Sequence, residues 1–450
     1  MKRIGYIFDR VIEPENLRLA FWKASKGHRA CDAQRNYAAA LDDEIRALRD
    51  GLIEGNYPVG DYTRFTVYEP KVREVCAAPF RDRVLHHALM NVVEPYFDRW
   101  LVDDTYACRK GKGQCAAVER AQHFAHRYQW FLKCDFRKFF DSIPHQGIER
   151  MLRRKFKDEA LVAWFMRIVD TYEVPFEKLA DEVKALPKEK RGLPIGNLTS
   201  QHLANLFLDP VDRILQQWMA HEARLGGFGY VRYMDDFVFW SDDKEVLKRL
   251  RTKVLTFARD ELHLALKGEP FINATAKGMD FLGMRIFPSC VRLSRTSRRR
   301  FREKCGNYLW RLENGQMGEL DFQRRVSALT AFTEHARSAG WRRKVFEDLE
   351  SGEKRRVLAT TTPTAVAGTT TATTASSRTT GTTTGTPTTT TASAAPAAEH
   401  RIDARSASTV PAGFRFPETG RRTKCLPPPV ARSNAAEGLP LFEFYEGATA

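Results

Sequence analysis

The chain has 450 residues, 72 of them Lys or Arg and 56 Asp or Glu, for a formal net charge of +16. Hydrophobic residues make up 43% and aromatic residues 11%, which excludes a globally disordered chain and allows a sizeable core. The charge implies a polyanionic partner, nucleic acid first, with a basic membrane-surface protein as the alternative.

No apolar run approaches the ~18 residues of a membrane span, so no membrane partner is expected. The opening stretch, MKRIGYIFDRVIEP, is broken by Asp9 and Arg10 and makes a poor signal peptide. Cysteines at 31, 76, 108, 115, 134, 290, 305 and 425 never form a C-x2-C pair. That argues against a zinc ribbon or a disulfide framework and fits a reducing, cytoplasmic location.

In chain order, residues 34–54 space their apolar side chains near 3.6 and predict a helix. Residues 62–78 favour one or two strands, and residues 81–100 a helix. WFLKCDF (130–136) predicts a buried strand, and residues 146–170 are helical. Another helix over 199–222 follows Pro194-Ile195-Gly196. GYVRYMDDFVFWSDD (229–243) predicts a β-hairpin with Met234, Asp235 and Asp236 at its turn. A basic helix (245–266), a strand near 281–287 and an Arg-rich helical stretch (295–349) complete the folded part. Helices alternating with hairpin strands predict an α+β fold with an antiparallel sheet. From Ala359 to Ala398, 19 of 40 residues are Thr, with no apolar period that would build a core, which predicts a disordered linker. Residues 1–358 carry a net +14 and residues 359–450 only +2, so the basic signal belongs to the folded part.

The carboxylates have a shared chemical logic. Asp135 ends an apolar strand, and Asp235 and Asp236 sit at the tip of an apolar hairpin. Clustered carboxylates repel unless neutralised. Hard oxygen ligands suit Mg²⁺, which borrows further ligands from a phosphate substrate. Two such ions activate an attacking hydroxyl and stabilise the leaving oxygen in phosphoryl transfer. A bare Asp-Asp pair is also ordinary turn chemistry. Tyr-x-Asp-Asp between apolar strands, 100 residues after a strand-end Asp, favours the metal reading.

Tyr233-Met234-Asp235-Asp236 resembles the YxDD motif of reverse transcriptases, and Asp135 in KCDFRKFFDSI resembles their first palm carboxylate. The resemblance continues in order. YEPKVREVCAAPFRDRVLHHAL (68–89) and YACRKGKGQCAA (106–117) are similar to fingers motifs of the bacterial enzymes. GLPIGNLTSQHLANLFLDPVD (192–212) resembles the segment between the carboxylate motifs, and GMDFLGMRI (278–286) the primer grip. Most of the family carries Gln-Gly-x-x-x-Ser-Pro in the middle segment. Here it reads Ile195-Gly196-Asn197-Leu198-Thr199-Ser200-Gln201, the pattern of reverse transcriptases of diversity-generating retroelements. Those enzymes copy a template-repeat RNA, misincorporate opposite adenine, and the mutated cDNA replaces part of a target gene.

The resemblance implies a right-hand polymerase: fingers and palm over 1–290, a helical thumb over 291–357, and a tail over 358–450. It implies that Asp135, Asp235 and Asp236 hold two Mg²⁺ ions, with the Phe136 backbone beside metals and phosphates. Phe140 matches the steric gate that favours dNTPs; one of Phe139 and Phe140 is core. Lys71 and Arg73 match cations that neutralise the triphosphate, against a solvated strand face. Ile195 and Gly196 border the nucleotide. Ile cannot make the hydrogen bond a Gln offers there, a loss of about 1–3 kcal/mol, or roughly ten- to a hundredfold in discrimination.

Arg109, Lys110 and Lys112 lie in a Gly-rich loop suited to template phosphates, and Tyr233 and Met234 would border template and primer. Arg298, Arg299, Arg300 and Arg302 would grip the backbone of the template–primer duplex, against a solvated charged helix. Lys267 loosely matches a lysine near the leaving pyrophosphate, and His86 and His87 are assigned no chemistry. The expected partners are template RNA, the growing cDNA, dNTPs and a small basic accessory protein. The span between Gly283 and the Thr-rich stretch leaves no room for an RNase H, integrase or endonuclease domain, so template removal and cDNA insertion would need other factors. Template repeats of this family are rich in AAC, which shifted by one base encodes Thr, so Thr360–Thr391 also reads as an out-of-frame translation of such a repeat. Two alternatives stand: a retron or antiphage-defence reverse transcriptase, and a catalytically silent RNA-binding protein on the same fold.

Overall fold

The structure is a computed structural model that describes residues 3–26, 31–68, 72–222 and 227–351. The Thr-rich stretch and the rest of the 358–450 tail lie outside these residues, as does Lys71.

The N-terminal helices are α1 (Phe8–Val11), α2 (Pro14–Ser25), α3 (Asp32–Ala39) and α4 (Leu41–Glu54). Pro14 opens α2 where its fixed φ suits a first helical turn. The single helix predicted over 34–54 is two, because Ala40 leaves the helical region at φ −113°, ψ 30°. Strands β1 (Thr63–Val67) and β2 (Arg73–Ala77) form an antiparallel hairpin with Thr63 opposite Ala77. Helix α5 (Phe80–Trp100) packs along α2, and α6 (Gln114–Arg127) leads into β3 (Trp130–Cys134).

After β3 come α7 (Phe139–Ser142), α8 (His145–Lys155), α9 (Glu159–Asp170) and α10 (Asp181–Lys184). The predicted helix 146–170 breaks at Phe156, which is extended, and the Asp158 carboxylate beyond it accepts the amides of Ile7 and Phe8. The predicted helix 199–222 divides into α11 (Leu198–Phe207) and α12 (Asp209–Glu222), with Pro210 at the second position of α12, where no amide donor is needed.

Strands β4 (Gly229–Tyr233) and β5 (Asp236–Ser241) are the predicted hairpin. Helix α13 (Lys244–Asp260) is capped by the Asp243 carboxylate, which accepts from the amides of Glu245 and Val246. It stops short of the predicted 266; the chain turns back through His263 at φ +52° into β6 (Phe271–Ala274). The strand predicted near 281–287 is a hairpin, β7 (Met279–Phe281) and β8 (Met284–Ile286), joined by β9 (Val291–Leu293).

The central sheet runs β4-β5-β3-β6, antiparallel throughout, which bears out the α+β reading. Its period-2 alternation separates two faces. Leu132, Cys134, Tyr230, Phe237 and Phe239 point into the large core that includes Val246, Leu247 and Leu250 of α13. The opposite face carries Val231 and Val238, with Phe124 of α6 packed on Trp240 at 5.5 Å between ring centroids. Toward one end of that second face the residues turn polar: Lys133, Tyr233 and Asp236.

These elements belong to one unit, residues 3–294 with 335–337. A second unit contains α14 (Arg295–Glu313), α15 (Glu319–Glu334) and α16 (Ala339–Glu350). Phe301, Cys305 and Leu309 repeat every four residues on α14 and form its core with Phe322, Val326, Val345 and Phe346.

Candidate active site

Asp135 follows the last residue of β3 and is held by its own backbone. Its carbonyl accepts the Lys267 amide at 2.8 Å, and the Arg137 amide donates to the Ala265 carbonyl at 2.8 Å. Asp235 and Asp236 close the β4–β5 hairpin, where Tyr233 pairs with Asp236 and only Met234 and Asp235 lie between the strands. Met234 adopts φ +55°, a left-handed conformation that tight hairpin turns demand and that costs a residue with a Cβ.

The carboxylates sense one another. Burial first, then the charges of Asp135 and Asp236, push Asp235 up to about 6, with Arg73 drawing it the other way. Asp236 is also raised, by burial first and then Asp135, against the pull of Lys133. Lys133 Nζ sits 3.0 Å from Asp236 Oδ2 and donates to the Asp280 carbonyl at 2.7 Å. Lys267 Nζ lies 3.3 Å from Asp135 Oδ2. The other oxygen of Asp236, Oδ1, is buried with no hydrogen-bond partner. A cleft of about 200 Å³ opens beside Asp135, lined by Lys133, Leu266, Lys267, Glu269 and Phe271.

Repelling carboxylates with an orphaned buried oxygen are the donor set a hard divalent cation satisfies. Among the described residues no three His, Cys, Asp or Glu side chains converge as a ready metal-holding group, and one oxygen of Asp236 is engaged by Lys133.

The Phe136 ring is core, stacked on Phe139 and tilted against Phe237, so only its backbone is available to the site. Phe139 is buried while Phe140 is half-buried, its carbonyl accepting the Leu193 amide at 2.8 Å. The Ile195 carbonyl accepts the Cys76 amide at 2.8 Å, which ties this loop to the strand bearing Arg73. Gly196 lies at φ +116°, and a Cβ there would meet Val75 Cγ1 at 2.9 Å and the Cys76 carbonyl oxygen at 3.0 Å, so only glycine fits the junction.

Residues 68–286 match the family described as reverse transcriptase (RNA-dependent DNA polymerase). Over this stretch, just under half of its length, the chain is similar to reverse transcriptases. It is 22% identical over 177 residues to a putative COX1/OXI3 intron 1 protein of Saccharomyces cerevisiae, covering 39% of this chain and 20% of that one. It is 23% identical over 287 residues to protein YkfC of Escherichia coli, covering 55% of this chain and 72% of that one. The group II intron-encoded protein LtrA of Lactococcus lactis is 20% identical over 179 residues, 39% of this chain and 29% of that one. The chain thus spans about a fifth of the yeast relative and under a third of LtrA. Among solved structures, apo telomerase of Candida tropicalis truncated from its C-terminal domain superposes with a TM-score of 0.39 at 12% identity, over 52% of this chain and 55% of that one.

Within residues 68–286, two of the loop cations expected to meet template phosphates have internal partners. Arg109 is only 9% exposed and spends its donors internally, on the Asp98 carboxylate (2.6 Å) and the carbonyls of Val102, Thr105 and Asp98. Lys112 donates to the Asp103 carbonyl and carboxylate. The loop folds back on itself and surrounds both cations with acceptors, so neither is free for template phosphate. Lys110 is 85% exposed, with Glu94 at 3.9 Å as a loose partner.

Tyr233 and Met234 are half-buried beside the turn, Met234 packed against the core. In the second unit, Arg298 lies over the Trp341 ring at 5.8 Å and Arg299 pairs with Glu303 at 3.6 Å; Arg300 lies on the same helix, α14. His86 is buried and its imidazole pushed down to about 3 by desolvation.

Sequence reasoning missed what lies beneath the Met234–Asp235 turn. Arg232 and Asp212 are both fully buried (0% exposed) and paired at 2.7 Å. Arg232 also donates to Asn205 and to the Met234 carbonyl. The signal was available: an arginine inside the apolar run GYVRY and an aspartate inside an apolar helix each need a partner. Lys133, on β3 two residues before Asp135 and paired with Asp236 at 3.0 Å, was missed in the same way.

Proposed function

We propose that the chain is an RNA-directed DNA polymerase of the diversity-generating type, which copies a template-repeat RNA into error-prone cDNA for retrohoming into a target gene. The observation that carries the polymerase reading is the strand register that pairs Cys134 with Phe237 and so sets Asp135, the next residue, at the same sheet end as the Asp235–Asp236 turn, inside the matched residues 68–286.

Asp135, Asp235 and Asp236, with the Phe136 backbone, would hold Mg²⁺. Bound there, Mg²⁺ supplies the charge that activates a primer 3′-hydroxyl and neutralises a triphosphate. The residues of the chain do the rest. The backbone bonds at 135–137 and the hairpin register keep the carboxylates at one sheet end. Arg73, and Lys71 by the sequence resemblance, would meet the triphosphate, with Lys267 on the far side of Asp135. Phe140, half-exposed beside buried Phe139, suits a ring that excludes a ribose 2′-hydroxyl. Arg298, Arg299 and Arg300 would track a nucleic-acid backbone, and the basic charge supports template RNA and cDNA as partners.

The subtype rests on the Ile195-to-Gln201 segment. Ile195 offers only its carbonyl, which is already bonded to β2, so its apolar side chain has no polar contact to give a nascent base pair. The intron-encoded relatives favour one other reading, an intron-associated reverse transcriptase. Primer extension on an RNA template with Mg²⁺, beside an Asp235→Asn control, tests the polymerase reading; equal extension by both proteins overturns the metal-site assignment. Errors concentrated opposite template adenine support the diversity-generating subtype, and an even error spectrum supports the intron or retron readings.

A further inference from the structure

We infer that Arg232, with Asp212 as counter-ion, is a positioning residue that holds the Met234–Asp235 turn in the shape that binds metal; this rests on the polymerase reading above. All five donor hydrogens of its guanidinium find acceptors. Nε and NH2 take the two oxygens of Asp212, each at 2.7 Å. NH2 also takes the Asn205 carbonyl at 3.0 Å, and NH1 divides between Asn205 Oδ1 (2.7 Å) and the Met234 carbonyl (2.9 Å). Asp212 is equally saturated, accepting from the Tyr230 hydroxyl and from Thr105 Oγ1 at 3.3 Å as well. Its backbone fixes the same strand from outside: the Arg232 amide donates to the Asp104 carbonyl and its carbonyl accepts the Tyr106 amide, both at 2.9 Å.

This arrangement does more than fill a core. A buried ion pair is weak grounds for stability, because well-packed apolar residues commonly replace it without loss. What apolar residues cannot do is hold the carbonyl of Met234, a residue kept at φ +55°, a backbone state that persists only where its surroundings over-determine it. Arg232 pairs with Phe237 and points away from the face that carries Tyr233 and Asp236. It therefore touches no reacting atom and acts through the turn. The rigid planar fork of arginine suits the task, since lysine has one nitrogen to place. Asn205, which donates to the Ala107 carbonyl at 2.8 Å, extends the support to the 105–113 loop.

Two variants of the full chain test this. Arg232→Lys keeps a positive charge against Asp212 but loses the contact to Met234. The double substitution Arg232→Met with Asp212→Leu removes both charges, so neither is stranded. In each, Mn²⁺ binding measured by electron paramagnetic resonance without nucleic acid should weaken about tenfold or more, the scale of lost support around a metal ligand. The Mg²⁺ concentration for half-maximal extension should rise by a similar factor, while the thermal midpoint of the double variant stays near that of the parent. Parental Mn²⁺ affinity in either folded variant overturns the positioning role. A parent that binds Mn²⁺ but extends no primer overturns the polymerase reading instead and leaves the positioning role to be judged on the Mn²⁺ titrations.

Discussion

The β4–β5 hairpin and the 101–113 loop are both charged turns, yet they treat their charges in opposite ways. In the loop, Arg109 and Lys112 find acceptors 7 to 11 residues away, on the loop itself and on Asp98 at the end of α5. In the hairpin, Arg232 is saturated below the turn, while Asp235 is left half-buried under the charge of Asp135 and one oxygen of Asp236 is left without a partner. A charged motif is available for chemistry only where the fold leaves it without an internal partner. The loop spends its charge on its own shape; the hairpin stores unfavourable charge that a cation relieves.

The largest effect expected to separate the two regions is on catalysis. Asp235→Asn should lower primer extension by about 10³-fold or more, since the lost stabilisation of the transition state is worth several kcal/mol. The same substitution should stabilise the metal-free protein. Asp235 is pushed up to about 6, above its unfolded value, so its contribution is fully present below about pH 4 and is lost as pH rises to about 6. At pH 7.5 in EDTA, Asp235→Asn should melt above the parent by a margin equivalent to about 1–3 kcal/mol, and that margin should shrink at pH 4.5. In the loop the sign reverses: Asp103, held below its usual range by its hydrogen bond from Lys112, contributes stability that is lost on acidification. A parent that outlasts Asp235→Asn at pH 7.5 would remove the idea of stored charge.

Ile195→Gln should reduce misincorporation opposite template adenine by roughly ten- to a hundredfold, the scale of one restored hydrogen bond. An unchanged error rate would show that this position does not set fidelity.

Within the loop, Arg109→Met should destabilise the protein by about 1–3 kcal/mol in urea denaturation and leave the salt dependence of RNA binding unchanged. A salt slope reduced by about one would return Arg109 to the template. Lys110→Met, the smallest change, should do the reverse: near-neutral for stability, with the salt slope lowered by about one.

Much of the site was legible because its chemistry is local. Asp135, Asp235 and Asp236 each follow directly from a polar residue at the end of an apolar run, and β-hairpin period and turn length place them. Helix lengths were less legible. Ala40, Phe156 and the Leu208–Pro210 junction break helices whose apolar periods continue across the break, because packing decides where the chain turns. The internal partners of Arg109 were not legible because sequence reveals a cation but not the carbonyls that a loop folds around it. Arg232 passed unnoticed because Asp212 and Asn205, which take most of its donors, are 20 and 27 residues away along the chain.

By itself, the sequence determined the α+β class, the antiparallel hairpin and the three carboxylates, since alternation and strand ends are properties of a few adjacent residues. Only the tertiary structure decided which charges are spent and which are available. Burial and the reach of a guanidinium depend on residues far apart in sequence, and the energy of a charge is set by the whole shell of groups around it.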